Sequence, residues 1–433
     1  MHIYYKDFRP QIKLRSKNIY GEMAVFMLKK IMAVFICCAL IVPIVAMADT
    51  AEILSENITT EYLSDDLLEP YSDASVEAET VLELNAKSAV LMEKSTGRVL
   101  YEQNPHERLA PASITKIMSL LLIMEAIESG KITIDDTVSA SEHAVSMGGS
   151  QIWLEVGETM TVNELLKAVA IGSANDATVA LGEYIAGSEE AFVNMMNERA
   201  AQLGMENTHF VNCTGLDAEN HYTSAYDVAL MSRELIGHDL IKQYSSVWMD
   251  SLREGETQLV NTNKLVRFYE GATGLKTGTT DEAGYCLSAT AERDDMELIA
   301  VVMGSDSGNN RFNSARKLLD HGFANYVKVS PAVDMSEIPA VKVTGGVESL
   351  VPINEVNAEP VLITKGKEKS ITAKIELPES IEAPISAGQQ IGTVSIMQDD
   401  EMLAQIPITA AKDIGKMTFT NALWLLIQKL FGV

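Results

Sequence analysis

Residues 111–116 read Pro-Ala-Ser-Ile-Thr-Lys and run directly into Ile-Met-Ser-Leu-Leu-Leu-Ile-Met-Glu-Ala, residues 117–126. A proline ahead of a nearly all-apolar run predicts a buried helix over Ile114 to Glu128, with Ser113 and Lys116 one turn apart on one face. A serine hydroxyl is a poor nucleophile until a base lies within hydrogen-bond reach. Burial beside positive charge would lower the Lys116 pKa and leave a neutral amine able to take the serine proton. The spacing alone decides nothing, because Ser314-Ala-Arg-Lys317 repeats it. That second pair falls in Arg-Phe-Asn-Ser-Ala-Arg-Lys-Leu-Leu-Asp, an amphipathic and charged helix whose lysine is expected in solvent.

Outward from this helix the pattern is dense. Ser88-Ala-Val-Leu-Met-Glu reads as a strand, Lys94 to Arg98 as a turn and Val99-Leu-Tyr-Glu as the hairpin partner. Helical periods follow at Val162 to Ile171, Asp176 to Ile185, Glu190 to Leu203 and Ser224 to Ile236. Strands return at Gly274 to Lys276, Gly284 to Ala291 and Leu298 to Met303, before a helix over Arg311 to Tyr326. Strands at both ends with helices between predict an α/β (α+β) body, an antiparallel sheet built from the two ends of the domain and covered by a helical cluster. Residues 327–411 change to short alternating segments punctuated by Gly and Pro, which predicts a small all-β, sandwich-like domain. Residues 412–433 carry Leu423-Trp-Leu-Leu-Ile with lysines around it. This stretch is short for a span and is expected to form an amphipathic helix on a membrane surface, the alternative being a helix docked on the β-domain.

The chain has 433 residues, 47% of them hydrophobic, enough for more than one core. Near the N-terminus, Lys29-Lys30, the apolar run Ile31 to Ala46 and Ala46-Met47-Ala48 read as a signal peptide with its cleavage site, so residues 1–48 are expected to be absent from the mature protein. Met1 to Phe26 does not suit an ordinary signal, and Met23 or Met27 is the alternative start; an uncleaved anchor is the other reading. Losing residues 1–48, with seven basic and two acidic side chains, takes the formal charge from −26 to −31. Such a surface repels nucleic acid. Residues 49–84 hold eleven acidic residues and no basic one, a solvated linker. Cys213 and Cys286 are the two cysteines beyond the signal; they could pair or stay free.

Two more elements follow Ser113 in order, Ser173-Ala-Asn175 and Lys276-Thr-Gly278. Ser-x-Asn recurs at Ser55 and Ser307, but Lys-Thr-Gly occurs once, and only Ser113 precedes both. The ordered triple is the signature of penicillin-binding proteins and class A β-lactamases. Ser173 can pass a proton to a leaving amine, Asn175 can hold a substrate amide, and Lys276 with Thr277 can bind a carboxylate. Gly278 would let a substrate strand lie against the sheet edge. The backbone N–H groups of Ser113 and Thr279 would form an oxyanion hole.

From about Asn85 to Tyr326 the chain resembles the serine-type D-alanyl-D-alanine carboxypeptidases, the low-molecular-mass penicillin-binding proteins. Gly215-Leu216, His221-Tyr-Thr-Ser-Ala-Tyr-Asp227, Asn261-Thr-Asn-Lys-Leu265, Ala283-Gly-Tyr-Cys286 and Arg311 extend the likeness. Ser173-Ala-Asn replaces the more usual Ser-Asp-Asn, and Cys213 stands where proline is expected. The resemblance implies a catalytic domain over residues 85–326 that removes the terminal D-alanine from peptidoglycan stem peptides through an acyl-enzyme on Ser113, with β-lactams trapping that serine. It implies no cofactor and no metal; the seven histidines are scattered and no His-Glu-x-x-His occurs. The family also carries a C-terminal β-rich domain and a membrane-anchoring tail, which implies a place at the outer face of the cytoplasmic membrane. Two alternatives share the triple. A β-lactamase would need a Glu-x-x-Leu-Asn loop between the second and third motifs, which is missing, and a β-lactam-sensing or wall-binding protein would keep the fold without turnover. His221, Asp227 and Lys264 stand open between bracing and substrate contact.

Overall fold

The computed structural model describes residues 82–431, so the expected signal peptide, the alternative starts and nearly all of the expected acidic linker lie outside the described residues. Strand β1 (Ser88–Glu93) pairs with β2 (Val99–Gln103) as the predicted hairpin. The late strands β3 (Ala272–Thr280), β4 (Gly284–Arg293) and β5 (Met296–Ser305) follow as a meander. Together they make one antiparallel sheet of order β2-β1-β5-β4-β3, with β1 closing on β5. Strand β3 is therefore an edge, and it carries Lys276-Thr-Gly278.

Alternate side chains leave the sheet on opposite faces, and both faces are covered. Val90, Met92, Ile299, Val301 and Met303 join the core of the helical cluster. On the other face Leu91 and Leu298 meet Gly322 of helix α6 (Gly308–Asn325), where a β-carbon would collide with the Leu298 side chain. Within the cluster, helix α1 (Lys116–Glu128) is buried on nearly every side, as its apolar run predicts, and packs against α5 (Ala225–Leu235), α3 (Asn175–Ala186) and α2 (Val162–Ala170). α2 starts on a capping box in which Thr161 and Glu164 satisfy each other's backbone N–H groups. α4 (Glu189–Gln202) completes the cluster against α3.

Beyond α6 the chain enters the β-domain, in which β6 (Tyr326–Val329) pairs with β7 (Val361–Thr364), and β8 (Ile371–Glu376), β9 (Gln390–Gln398) and β10 (Glu401–Thr409) form a separate antiparallel sheet. It has its own apolar core around Ile363, Val394, Ile396, Ile408 and Ile414. Helix α7 (Phe419–Phe431) follows, with Phe419 84% and Trp424 61% exposed. Among the described residues no helix is long and apolar enough to cross a membrane.

Candidate active site

The serine of the opening motif does not sit on the α-helix that its spacing predicts. Ala112–Thr115 form a 3-10 turn, with Ala112 in the left-handed region at φ 49°, and the α-helix begins only at Lys116. The tighter turn still presents Ser113 to Lys116: the Nζ lies 3.0 Å from the Ser113 Oγ and donates to the Thr214 carbonyl at 2.6 Å. Lys116 is fully buried while Ser113 is only half-buried, so the hydroxyl is reachable and the amine is dry. Burial pulls the lysine pKa down to about 7, against the pull of Cys213 and Asp176. Burial also pushes the Cys213 thiol well above its usual range, so it stays neutral and Asp176 is the effective opposing charge.

The turn is clamped from below by residues 212–215. Asn212 Oδ1 accepts from the N–H groups of Thr214 and Gly215 and from the Thr214 hydroxyl, which aims the Thr214 carbonyl at Lys116. Gly215, at φ 88°, lies so close that a β-carbon would overlap the Ala112 carbonyl oxygen. His221 Nδ1 accepts from the Val211 N–H, so its proton sits on Nε2 and is shared with Thr115 Oγ1 at 2.9 Å. Burial lowers its pKa to about 4, which keeps the ring neutral. Asp227 accepts from the Asn207 N–H and the Thr208 hydroxyl. Both residues brace the helical cluster. Lys264 is half-buried at the start of a short helix, Leu265–Phe268.

Ser173 lies in the tight turn between α2 and α3, and Asn175 is the first residue of α3. Ser173 is held in the left-handed region at φ 63°, an unusual conformation for a side-chain-bearing residue. Its Oγ and the Oδ1 of Asn175 are buried, with no hydrogen-bond partner among the described residues. Such orphaned atoms are costly unless something else satisfies them, and a substrate amide has the matching donor and acceptor. Asn175 is fixed by its other atoms, Nδ2 donating to the Gly148 carbonyl at 2.6 Å and the backbone N–H to the Ser150 carbonyl at 2.7 Å. Its neighbour Asp176, fully buried, accepts from the N–H groups of Ile152, Leu154 and Ala177.

On the edge strand, Lys276 is buried with its Nζ on the Thr277 carbonyl at 3.1 Å. Burial, then Lys116 and Arg311, hold its pKa well below the usual lysine range, so an arriving anion would meet a site starved of negative charge. Thr277 Oγ1 donates to Thr262 Oγ1 at 2.7 Å. Gly278 has a different role from the one its sequence suggests. Its missing side chain faces inward, where a β-carbon would lie 2.9 Å from the Ser113 nitrogen and 3.0 Å from the Ile114 nitrogen. The glycine lets the strand close on the nucleophile turn rather than clearing the outer edge for a ligand. Thr279 is exposed beyond it, its Oγ1 accepting from Arg311 Nη1 at 2.9 Å.

The structure thus gathers Ser113, Lys116, Lys276 and Gly278 at one seam between edge strand and helical cluster, with Ser173 and Asn175 where α3 begins. Ser314 and Lys317 are not a reactive pair. Ser314 Oγ accepts from the Asn85 N–H, and the exposed Lys317 bonds the Glu83 carbonyl. Cys213 and Cys286 are both free and buried. Arg311 was not among the predicted site residues. It also bonds the Gly278 and Cys286 carbonyls, and its place beside the motif strand depends on the packing of α6, which no local spacing encodes.

A family model described as D-alanyl-D-alanine carboxypeptidase matches residues 74–307, and one described as the C-terminal domain of penicillin-binding protein 5 matches residues 329–416. The chain is 47% identical over 343 residues to the D-alanyl-D-alanine carboxypeptidase DacF of Bacillus subtilis (strain 168), spanning 78% of this chain and 88% of that one. Among solved structures, penicillin binding protein 5 from Haemophilus influenzae superposes with a TM-score of 0.69 at 33% identity, covering 78% of this chain and all of that one. Penicillin-Binding Protein D2 from Listeria monocytogenes, solved in an ampicillin-bound form, has a TM-score of 0.52 at 32% identity over 56% of this chain and 99% of its own.

Proposed function

The chain belongs to the serine D-alanyl-D-alanine carboxypeptidases, the low-molecular-mass penicillin-binding proteins, and from that premise we propose that it removes the terminal D-alanine of peptidoglycan stem peptides with Ser113 as nucleophile and Lys116 as base. The observation that carries the assignment is the 3.0 Å contact between Ser113 Oγ and a fully buried Lys116 amine whose pKa is about 7. A neutral amine of that basicity takes the hydroxyl proton as Oγ attacks the carbonyl of the penultimate D-alanine. The backbone N–H groups of Ser113 and Thr279 stabilise the oxyanion. The amide bond then breaks as Ser173 Oγ gives its proton to the departing amine nitrogen and is reprotonated from Lys116, which leaves a neutral Lys116 amine and an ester on Ser113. Water attacks the ester, Lys116 receives and returns the proton, and the shortened peptide leaves.

Asn175 Oδ1 holds the substrate's backbone amide, while Lys276, Thr277 and Thr279 bind the terminal carboxylate. The carboxylate raises the lysine pKa as it docks, so charge and ligand arrive together. β-Lactams enter the same site, because their ring amide and carboxylate meet the same groups. Helix α7 lies on a membrane surface: Phe419, Leu423, Trp424, Leu426 and Ile427 are all exposed, an apolar set with no cover among the described residues. With removal of residues 1–48, the exposed apolar helix supports a location at the outer face of the cytoplasmic membrane.

Intact-mass spectrometry after exposure to penicillin tests the assignment, alongside release of D-alanine from diacetyl-Lys-D-Ala-D-Ala. A single adduct on the wild type and on Ser314→Ala, lost in Ser113→Ala, together with D-alanine release is expected. An adduct that survives Ser113→Ala refutes it.

A further inference from the structure

The wall of the site beside Asn175 is a loop, residues 147–158, that is tied down far more heavily than a surface loop requires. Gly148 and Ser150 bond Asn175, and the N–H groups of Ile152 and Leu154 bond Asp176. From outside, Arg253 bonds the Ile152 and Trp153 carbonyls, Thr257 Oγ1 and both oxygens of Glu158. Those contacts occupy all five guanidinium N–H donors. Ile152 and Leu154 point into the core, and between them Trp153 is held at φ 58° with its side chain turned outward, 75% exposed. Val156 stands exposed a few residues on. A left-handed backbone costs a tryptophan energy, and an exposed indole gains none from burial, so folding alone gives no reason for this arrangement.

We propose that Trp153 is an outer substrate subsite that stacks on a sugar ring of the peptidoglycan glycan to which the stem peptide is attached. This rests on the carboxypeptidase function set out above. Three features select that occupant. The loop is continuous with the substrate-holding turn, since the residues flanking Trp153 are bonded to Asp176, next to Asn175. The platform is small, one indole with Val156 nearby, which matches the apolar face of a single pyranose ring better than a lipid surface. Arg253, the cation bonded to the Trp153 carbonyl, has no donor left for a carboxylate of the stem peptide, whereas an uncharged sugar needs none.

The test compares three substrates: diacetyl-Lys-D-Ala-D-Ala, the free stem pentapeptide and the same pentapeptide on N-acetylmuramic acid. For Trp153→Ala, the kcat/KM ratio of the muramoyl substrate to the free pentapeptide is expected to fall about tenfold, carried by KM, with Trp153→Tyr restoring most of it. An unchanged ratio overturns the proposal, whether both substrates are slowed equally, as a purely structural loop would do, or neither is slowed. A loss appearing already between diacetyl-Lys-D-Ala-D-Ala and the free pentapeptide overturns it in favour of a peptide occupant. Wild-type release of D-alanine from the diacetyl peptide separates failure of the subsite from failure of the carboxypeptidase function; without that release both fall.

Discussion

Gly278→Ala tests how closely the edge strand and the nucleophile turn must meet. The new methyl would sit 2.9 Å from the Ser113 nitrogen, 3.0 Å from the Ala112 Cβ and 3.0 Å from the Ile114 nitrogen. Comfortable contact needs about 3.5 Å, so strand and turn must separate by roughly half an ångström. Two of the three crowded atoms are backbone nitrogens of a turn already clamped by Gly215 and His221, so the turn cannot yield easily and the strand moves instead. That displacement carries the Thr279 N–H away from the oxyanion and widens the gap to Lys276. A misplacement of 1 Å costs on the order of a hundredfold and loss of one oxyanion donor about a hundred- to a thousandfold. The expected drop in the acylation rate is therefore about ten- to a hundredfold, read by stopped-flow with a fluorescent penicillin in single turnover. Circular dichroism should show an unchanged fold. A folded Gly278→Ala protein that acylates within about twofold of wild type would refute the close approach of strand and turn.

The acylation rate should rise about tenfold per pH unit in the acid range and level off above about pH 7, because only the neutral Lys116 amine accepts the serine proton; a flat profile from pH 5 to 9 would contradict this. The same shift acts on stability. The unfolded lysine keeps its proton up to its ordinary pKa of 10.5 and the folded one loses it at about 7, so the buried amine destabilises fully below pH 7 and progressively less toward pH 10.5. Lys116→Met should accordingly abolish acylation and stabilise the protein more at pH 6 than at pH 9, as measured by urea unfolding at both. Truncation after Lys416 should abolish co-sedimentation with phosphatidylglycerol-containing vesicles and leave D-alanine release from the diacetyl peptide intact; equal sedimentation of both proteins would remove the membrane role of α7.

Sequence pattern located the elements well where burial was one-sided or complete. The strand at Ser88, the helix after Lys116 and the switch to short alternating segments past residue 327 all show in periodicity, because the core they face enforces it. The candidate site residues were legible where they are written as short spacings, in Ser113 with Lys116, whose side chains the structure brings to 3.0 Å, in Ser173 with Asn175 and in Lys276-Thr-Gly278. What escaped depends on tertiary approach. A 3-10 turn and an α-helix share the same residue preferences over four positions, so only the packing of Gly215 and Gly278 against Ala112 and Ser113 shows which is formed. The inward role of Gly278 and the Arg253 clamp on the Trp153 loop join residues far apart in sequence, and no local window contains both partners.

The pairing of β1 with β5 has a consequence for how the chain must fold. The first hairpin is synthesised early, yet the neighbour that satisfies the outer edge of β1 comes about two hundred residues later, after the entire helical cluster. Until then Ala89, Val90, Leu91 and Met92 form an apolar strand with an unpaired edge, the kind of surface that recruits other chains. Closure is a long-range event, slow and cooperative, and it coincides with assembly of the reactive seam, because β3 reaches the nucleophile turn only as part of the same meander. The seam that gathers Ser113, Lys116 and Lys276 therefore stays unassembled until the β3-β4-β5 meander has been made.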